Sequence, residues 1–231
     1  MKAVILAGGK STRLRPFTTN FPKPLMPIGQ RPILEIVIER LKHFGITEII
    51  ISTGYLADMI RLFFLDGSKL GVRITYSNED QPLGTAGPLN LVRDQLDETF
   101  LLMNGDVLTD LDFSEFFAFH RENKGHATIM LSNRVFATDF GVIDIDHQGR
   151  FQSWREKPKF EYLVSAGTYL FEPGTLDVLP REGYIDVPTF ILELQKKDYT
   201  VLGYVHKGYW LDIGKPGDYE KACIDYENNK I

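Results

Sequence analysis

Six residues near the N-terminus, Gly8, Gly9, Ser11, Thr12, Arg13 and Lys23, have the types and spacing that can hold an anion. Glycines permit positive φ and close backbone approach, so successive amide N–H groups can face one charged group. The hydroxyls and the guanidinium beside them add donors and a planar cation. Lys23 stands between Pro22 and Pro24, which lack N–H donors and favour extended backbone, so a stiff segment presents its ammonium. A lone Gly-Gly is most often only a turn, but this combination suits a polyphosphate. It is not a dinucleotide fingerprint, since no glycine follows at the G-x-G-x-x-G spacing, and no Gly-Lys-Ser/Thr closes a Walker loop.

The elements that would position these groups follow from the hydrophobic pattern. Ala3-Val4-Ile5-Leu6-Ala7 is a short β-branched run that reads as a buried strand leading straight into the glycines. A helix is predicted over Ile33 to Leu41, behind Pro32 and ending by Gly45, then a strand over Glu48 to Thr53. A helix over about Leu56 to Leu65 and a strand over Val72 to Tyr76 follow. A Gly/Pro-rich loop over residues 79 to 88 leads to a helix around Leu89 to Leu96. Phe100-Leu101-Leu102-Met103 is a fourth strand running into Asn104-Gly105-Asp106. Alternating strands and helices mean right-handed βαβ units on a parallel sheet, with ligands beyond the carboxyl ends of the strands. Asp106 lies at such an end, where a carboxylate suits a hard cation, although an Asp opening a turn toward a helix at Ser114 to Asn123 is as ordinary.

The second half changes character. Ala127 to Leu131, Gly141 to Ile145, Arg150 to Trp154 and Ser165 to Phe171 read as strands with little helix between them, and His147-Gln148-Gly149 as a turn. Antiparallel strands are therefore expected to extend the sheet. A helix over about Asp218 to Glu227 follows the block Gly208 to Pro216. Tyr209 and Trp210 within that block are expected to pack rather than stack on a ligand. The fold class is α/β, a Rossmann-like three-layer α/β/α arrangement with a mixed, mostly parallel sheet. One domain is expected over 1–231, in two halves of about 1–110 and about 111–231.

The chain has 231 residues, 43% hydrophobic and 25% charged, an ordinary globular mix large enough for a full core. A net charge of −5 argues against a nucleic-acid surface. The single cysteine, Cys223, excludes an internal disulfide and fits a reducing cytoplasm. No run approaches the ~20 apolar residues that a membrane span takes. Subunit association leaves no mark in so evenly patterned a chain, and a homo-oligomer stays open.

Leu6-Ala7-Gly8-Gly9, Thr12-Arg13-Leu14, Pro16 and Pro22-Lys23-Pro24 together resemble the signature of the sugar nucleotidyltransferases, the nucleoside-diphosphate-sugar pyrophosphorylases. The resemblance runs from Met1 to Asp218. It implies condensation of a nucleoside triphosphate with a sugar 1-phosphate, giving a nucleoside-diphosphate sugar and pyrophosphate, with Mg²⁺ held by Asp106 and Asp212. Leu6, Ala7, Gly8, Gly9, Ser11, Thr12, Arg13 and Lys23 would bind the nucleotide. Gln81, Gly84 and Thr85 would contact its base. Asn104, Gly141, Glu156, Lys157, Ser165 and Gly167 would hold the sugar phosphate, Glu156 on hydroxyls and Lys157 on phosphate. Taken alone, Glu156-Lys157 is an ordinary surface pair. Ser165 stands where the family often has Asn, which leaves the sugar open.

Arg13, Lys23, Asp106, Lys157 and Asp212 are the implied catalytic set. The branch most similar is mannose-1-phosphate guanylyltransferase, pointing to GTP and a manno-configured sugar. A uridylyl- or thymidylyltransferase acting on another sugar phosphate, including an amino sugar, is the alternative. A non-catalytic nucleotide-sugar-binding regulatory subunit is the rival from another class. Nothing repeats at the hexapeptide period of the β-helix that some relatives carry, so a catalytic domain alone is expected.

Overall fold

A computed structural model describes residues 1–230. The first half runs β1 (Lys2–Leu6), the short β2 (Pro27–Ile28) and β3 (Arg31–Pro32), α1 (Ile33–His43), β4 (Glu48–Thr53), α2 (Ala57–Phe64), β5 (Arg73–Asn78) and β6 (Phe100–Asn104). Then come β7 (Val107–Thr109), α3 (Phe113–Glu122), β8 (Ala127–Ala137), β9 (Val142–Ile145), β10 (Phe151–Arg155) and β11 (Lys159–Phe171). The chain closes with α4 (Val187–Lys196), β12 (Val201–His206), β13 (Trp210–Asp212) and α5 (Pro216–Glu227).

Seven strands form the central sheet in the order β12-β8-β11-β6-β1-β4-β5. The pairs β6/β1, β1/β4, β4/β5 and β12/β8 are parallel, and β11 is antiparallel to both its neighbours. Six strands thus share one direction. Side chains alternate across the sheet, so Ala3, Ile5, Ile49, Ile51, Leu101 and Met103 enter one core, and Val4, Ile50 and Leu102 enter the other. α1 shows why such a segment becomes a helix. It buries Ile33, Leu34, Val37, Ile38 and Leu41 on one side, with Glu35 in its first turn and Arg40, Lys42 and His43 in its last, each sign suited to the helix dipole.

The structure departs from the sequence reading in three places. The reversed part of the main sheet is β11 alone; β9 and β10 pair only with each other, as a separate hairpin, because both faces of so short a ribbon stay largely exposed. The segment Gly87–Gln95 forms 3₁₀ turns in place of an α-helix, and Leu89 and Val92, three residues apart, both point inward as eclipsed 3₁₀ positions do. Lys23–Leu25 is likewise one 3₁₀ turn, not extended backbone, closed by Met26 N–H donating to the Lys23 carbonyl. Pro24 already has a φ that such a turn accepts.

α4 and β12 have no counterpart in the sequence reading. Asp186-Val187-Pro188 ahead of Phe190, Ile191 and Leu194 is the start signal that finds the helix.

Candidate active site

The chain passes from β1 to β4 and β5 on one side, then returns to β6 on the other. That reversal makes β1/β6 the switch point where parallel sheets place ligands. A cleft of ≈ 710 Å³ opens there, lined by Leu6, Gly8, Lys23, Glu79, Gly84 and Asp106 among others. Its size suits a nucleotide-scale ligand. A second concavity of ≈ 250 Å³ lies by α1 and β7, away from these strand-end loops.

The glycine loop works through closeness. Neither Gly8 nor Gly9 has positive φ; the left-handed residue is Ser11, at φ 46°. A Cβ on Gly8 would stand 2.8 Å from Glu79 Oε1 and 3.3 Å from the Gly54 nitrogen, so a side chain there would press on both, whereas Gly9 faces open space. Ala7 N–H donates to the Ser52 carbonyl at 2.8 Å. Among the described residues, the N–H groups of Gly8, Gly9, Lys10 and Ser11 donate to no protein acceptor, so they are free to bind an anion.

Two carboxylates converge beside this loop. β7 pairs antiparallel with β13, setting Asp212 opposite Val107, and Ile213 N–H donates to the Asp106 carbonyl at 3.1 Å. Burial pushes the Asp212 carboxyl up from the usual range, the charge of Asp106 adds to this, and Lys23 and Arg13 pull the other way. Asp106 Oδ2 is ion-paired with the buried Lys23, while Oδ1 is buried with no partner. The Arg13 guanidinium lies 3.4 Å from where a Gly214 Cβ would stand. Two anions and two cations therefore share one small space.

The 79–88 loop is pinned to the start of α4. Gly84 has φ +82°, and a Cβ there would fall 2.4 Å from the Ile185 carbonyl. Thr85 donates its N–H and hydroxyl to Asp186 Oδ1, at 3.0 and 3.1 Å, and its hydroxyl accepts from Val187 N–H at 2.8 Å. Thr85 lines the cleft, yet these bonds tie its side chain to the start of α4. Gln81 is exposed at the rim. Replacing Gly84 with Ala is expected to cost about 1–3 kcal/mol, from the left-handed backbone and the blocked carbonyl approach. Urea unfolding reads it; an unchanged midpoint would show that the loop gives way freely.

The residues that the resemblance assigns to the sugar phosphate are less gathered. Asn104 belongs to the cleft, and Gly167, at φ +70°, packs so tightly on it that a Cβ would lie 2.6 Å from Asn104 Nδ2. Ser165 Oγ bonds the Tyr169 hydroxyl at 2.8 Å. Gly141, Glu156 and Lys157 sit on or beside the hairpin, outside the cleft lining. Gly141 lies under the Trp154 ring, and Trp154 Nε1 donates to Glu156 at 3.0 Å. Trp210 and Tyr209 are packing residues: the indole N–H donates to the Ala166 carbonyl at 2.9 Å and the phenol to Asp225 at 3.1 Å.

Lys10, Tyr55, Glu79, Tyr184 and Asp186 line the cleft without having been singled out in the sequence. Position just past a strand end is the signal for Tyr55 and Glu79. Tyr184 and Asp186 arrive from the second half of the chain through the Thr85 bonds and carry no such signal.

The sequence pattern described as nucleotidyl transferase matches residues 2–229. The chain belongs to that family. It is 39% identical over 231 residues to mannose-1-phosphate guanylyltransferase 1 of Arabidopsis thaliana, covering 95% of this chain and 63% of that one. It is 34% identical over 241 residues to a UTP–glucose-1-phosphate uridylyltransferase of Synechocystis, covering 96% and 62%. The chain thus spans less than two thirds of the length of these curated relatives. Among solved structures, HddC from Yersinia pseudotuberculosis complexed with GMP-PN superposes with a TM-score of 0.74 at 28% identity, covering 97% of this chain and 99% of that one. The mixed, mostly parallel sheet is the shared Rossmann-like fold. Among the described residues, no helix is long and apolar enough to cross a membrane.

Proposed function

We propose that this nucleotidyltransferase joins a nucleoside triphosphate to a sugar 1-phosphate, with GTP and mannose 1-phosphate or a related manno-configured sugar as substrates. The observation that carries the reading is the meeting of Asp106, Asp212, Lys23 and Arg13 beside the unpaired N–H groups of Gly8 to Ser11. The guanylyltransferase relatives support GTP. The uridylyltransferase relative keeps UTP as the second reading.

The reaction needs no covalent intermediate on the enzyme. An oxygen of the sugar phosphate attacks the α-phosphorus in line, the new O–Pα bond forms, and the Pα–O bond to the β-phosphate breaks to release pyrophosphate. No base is required, because a phosphate monoester is already mostly dianionic near pH 7. The obstacle is repulsion between two anions, so catalysis is positioning with charge neutralisation. Lys23 and the N–H groups of the glycine loop hold the triphosphate, Arg13 meets charge growing on the departing pyrophosphate, and Lys157 holds the incoming phosphate.

The carboxylates fit Mg²⁺, which takes one or two of them and shares the rest of its shell with water and substrate phosphates. The orphaned Asp106 Oδ1 and the pressed Asp212 carboxyl are the oxygens that would hold such an ion. Among the described residues, no group of three or more His, Cys, Asp or Glu could hold a metal ion, so the pair Asp106 and Asp212 would share the ion with substrate. When bound, the ion would neutralise phosphate oxygens.

The test is pyrophosphate release from each of GTP, UTP, dTTP and ATP against a set of sugar 1-phosphates with Mg²⁺. Release that requires both substrates is expected, fastest with GTP. No release from any pair would remove the catalytic reading, and a tenfold preference for UTP would move it to the second.

A further inference from the structure

We propose that the β9/β10 hairpin is a self-association surface, through which two copies of this chain meet across a two-fold axis.

The register of the hairpin sorts its side chains by chemistry. Ile143 stands opposite Trp154 and Ile145 opposite Phe151, while Val142 stands opposite Arg155 and Asp144 opposite Ser153. Directly opposed residues share a face, and successive residues alternate between faces. One face is therefore Ile143, Ile145, Phe151 and Trp154, wholly apolar. The other carries an ion pair, with Asp144 accepting from Ser153 Oγ and from Arg155 Nη2 at 3.3 Å.

An antiparallel pair with one covered face ordinarily turns its apolar side inward and its polar side to water. This ribbon does the reverse. Arg155, on the polar face, turns toward β11, its guanidinium 5.6 Å from the centre of the Phe160 ring. The four side chains of the apolar face are 48% to 64% exposed and belong to neither core. A lone two-stranded hairpin has little stability of its own, and an uncovered apolar face on one marks a contact surface.

The charge distribution favours a second copy as the cover. Residues 133–164, which include the hairpin, carry five Lys/Arg and five Asp/Glu, so the whole net charge of −5 lies on the rest of the chain. Copies that meet at this neutral segment avoid the repulsion that net charge imposes elsewhere. A two-fold contact also sets a patch against itself, which an apolar face accepts and a face of one charge sign does not.

The area agrees. Half of an aromatic side chain amounts to about 100 Å². Phe140, 77% exposed, lies two residues ahead of β9. With it, the apolar face offers about 500 Å² per copy and on the order of 1,000 Å² for the pair, the low end of specific interfaces. The dimer is therefore weak, dissociating in the micromolar range.

Sedimentation velocity across the micromolar range tests the proposal. The wild type is expected to pass from monomer to dimer. Ile145→Asp places two unpaired carboxylates in the contact and is expected to weaken association by about 10²-fold or more. Leu62→Asp, at an exposed position of α2 away from the hairpin, is expected to leave it unchanged. Hydrogen exchange needs no variant to fold: in the wild type, amide protection over residues 142–155 should rise with protein concentration. A monomer throughout, or a dimer that Ile145→Asp leaves intact, would overturn the proposal. So would protection of residues 142–155 that follows added nucleotide and sugar phosphate but not protein concentration, since the ribbon would then close on substrate.

Discussion

Replacing Asp212 with Asn is expected to lower turnover by about 10²-fold or more while leaving the fold as stable as before, or slightly more so. The loss would follow from removing a carboxylate proposed to hold the cation that neutralises phosphate charge in the transition state. Retained stability follows from the site itself, where burial and the neighbouring Asp106 both press against the Asp212 charge. Asp106→Asn should lose as much activity and behave differently in urea. It leaves the buried Lys23 without its ion-pair partner, at a cost of about 1–3 kcal/mol. Turnover and urea unfolding measured on both variants separate these effects. Near-normal turnover with Mg²⁺ in either variant would remove that residue from the mechanism.

Arg13 and Lys157 are expected to fail in distinct ways. If Arg13 meets charge that develops on pyrophosphate, Arg13→Ala lowers kcat and kcat/KM together, by about 10²-fold. Arg13→Lys restores this only in part, because the planar fork is lost. Lys157→Ala should chiefly raise KM for the sugar phosphate. Lys157 stands exposed in the turn after β10, in left-handed backbone at φ 43°, and outside the cleft lining. The hairpin must therefore meet the substrate for Lys157 to act. Steady-state kinetics with each substrate varied decides the assignment, and equal effects of both changes on both substrates would contradict it.

The strand ends of the first half were legible because β1, β4 and β6 carry short apolar runs that stop at glycine-bearing loops, as buried parallel strands do. Asp106 could be placed from that pattern alone. Its meeting with Asp212 could not, since it depends on β7 and β13, three residues each and too short to show a period of two. Matching the family motif found the pair; hydrophobic pattern alone did not. The 79–88 loop shows the opposite limit. Gln81 and Thr85 drew attention as side chains that can hydrogen-bond a base, yet Thr85 is bound to Asp186, and Glu79 is the group locked against Gly8. Which of several polar residues in one loop faces a ligand is set by long-range contacts, and composition does not contain them.

The proposed reaction passes the nucleotidyl group directly to the sugar phosphate. Mannose 1-phosphate carrying ¹⁸O on its phosphate oxygens, incubated with GTP, Mg²⁺ and the protein, tests it most directly by mass spectrometry of both products. All the label is expected in the nucleoside-diphosphate sugar and none in pyrophosphate, with no pyrophosphate formed when the sugar phosphate is left out. Label in pyrophosphate, or a stoichiometric burst of pyrophosphate from GTP alone, would contradict it.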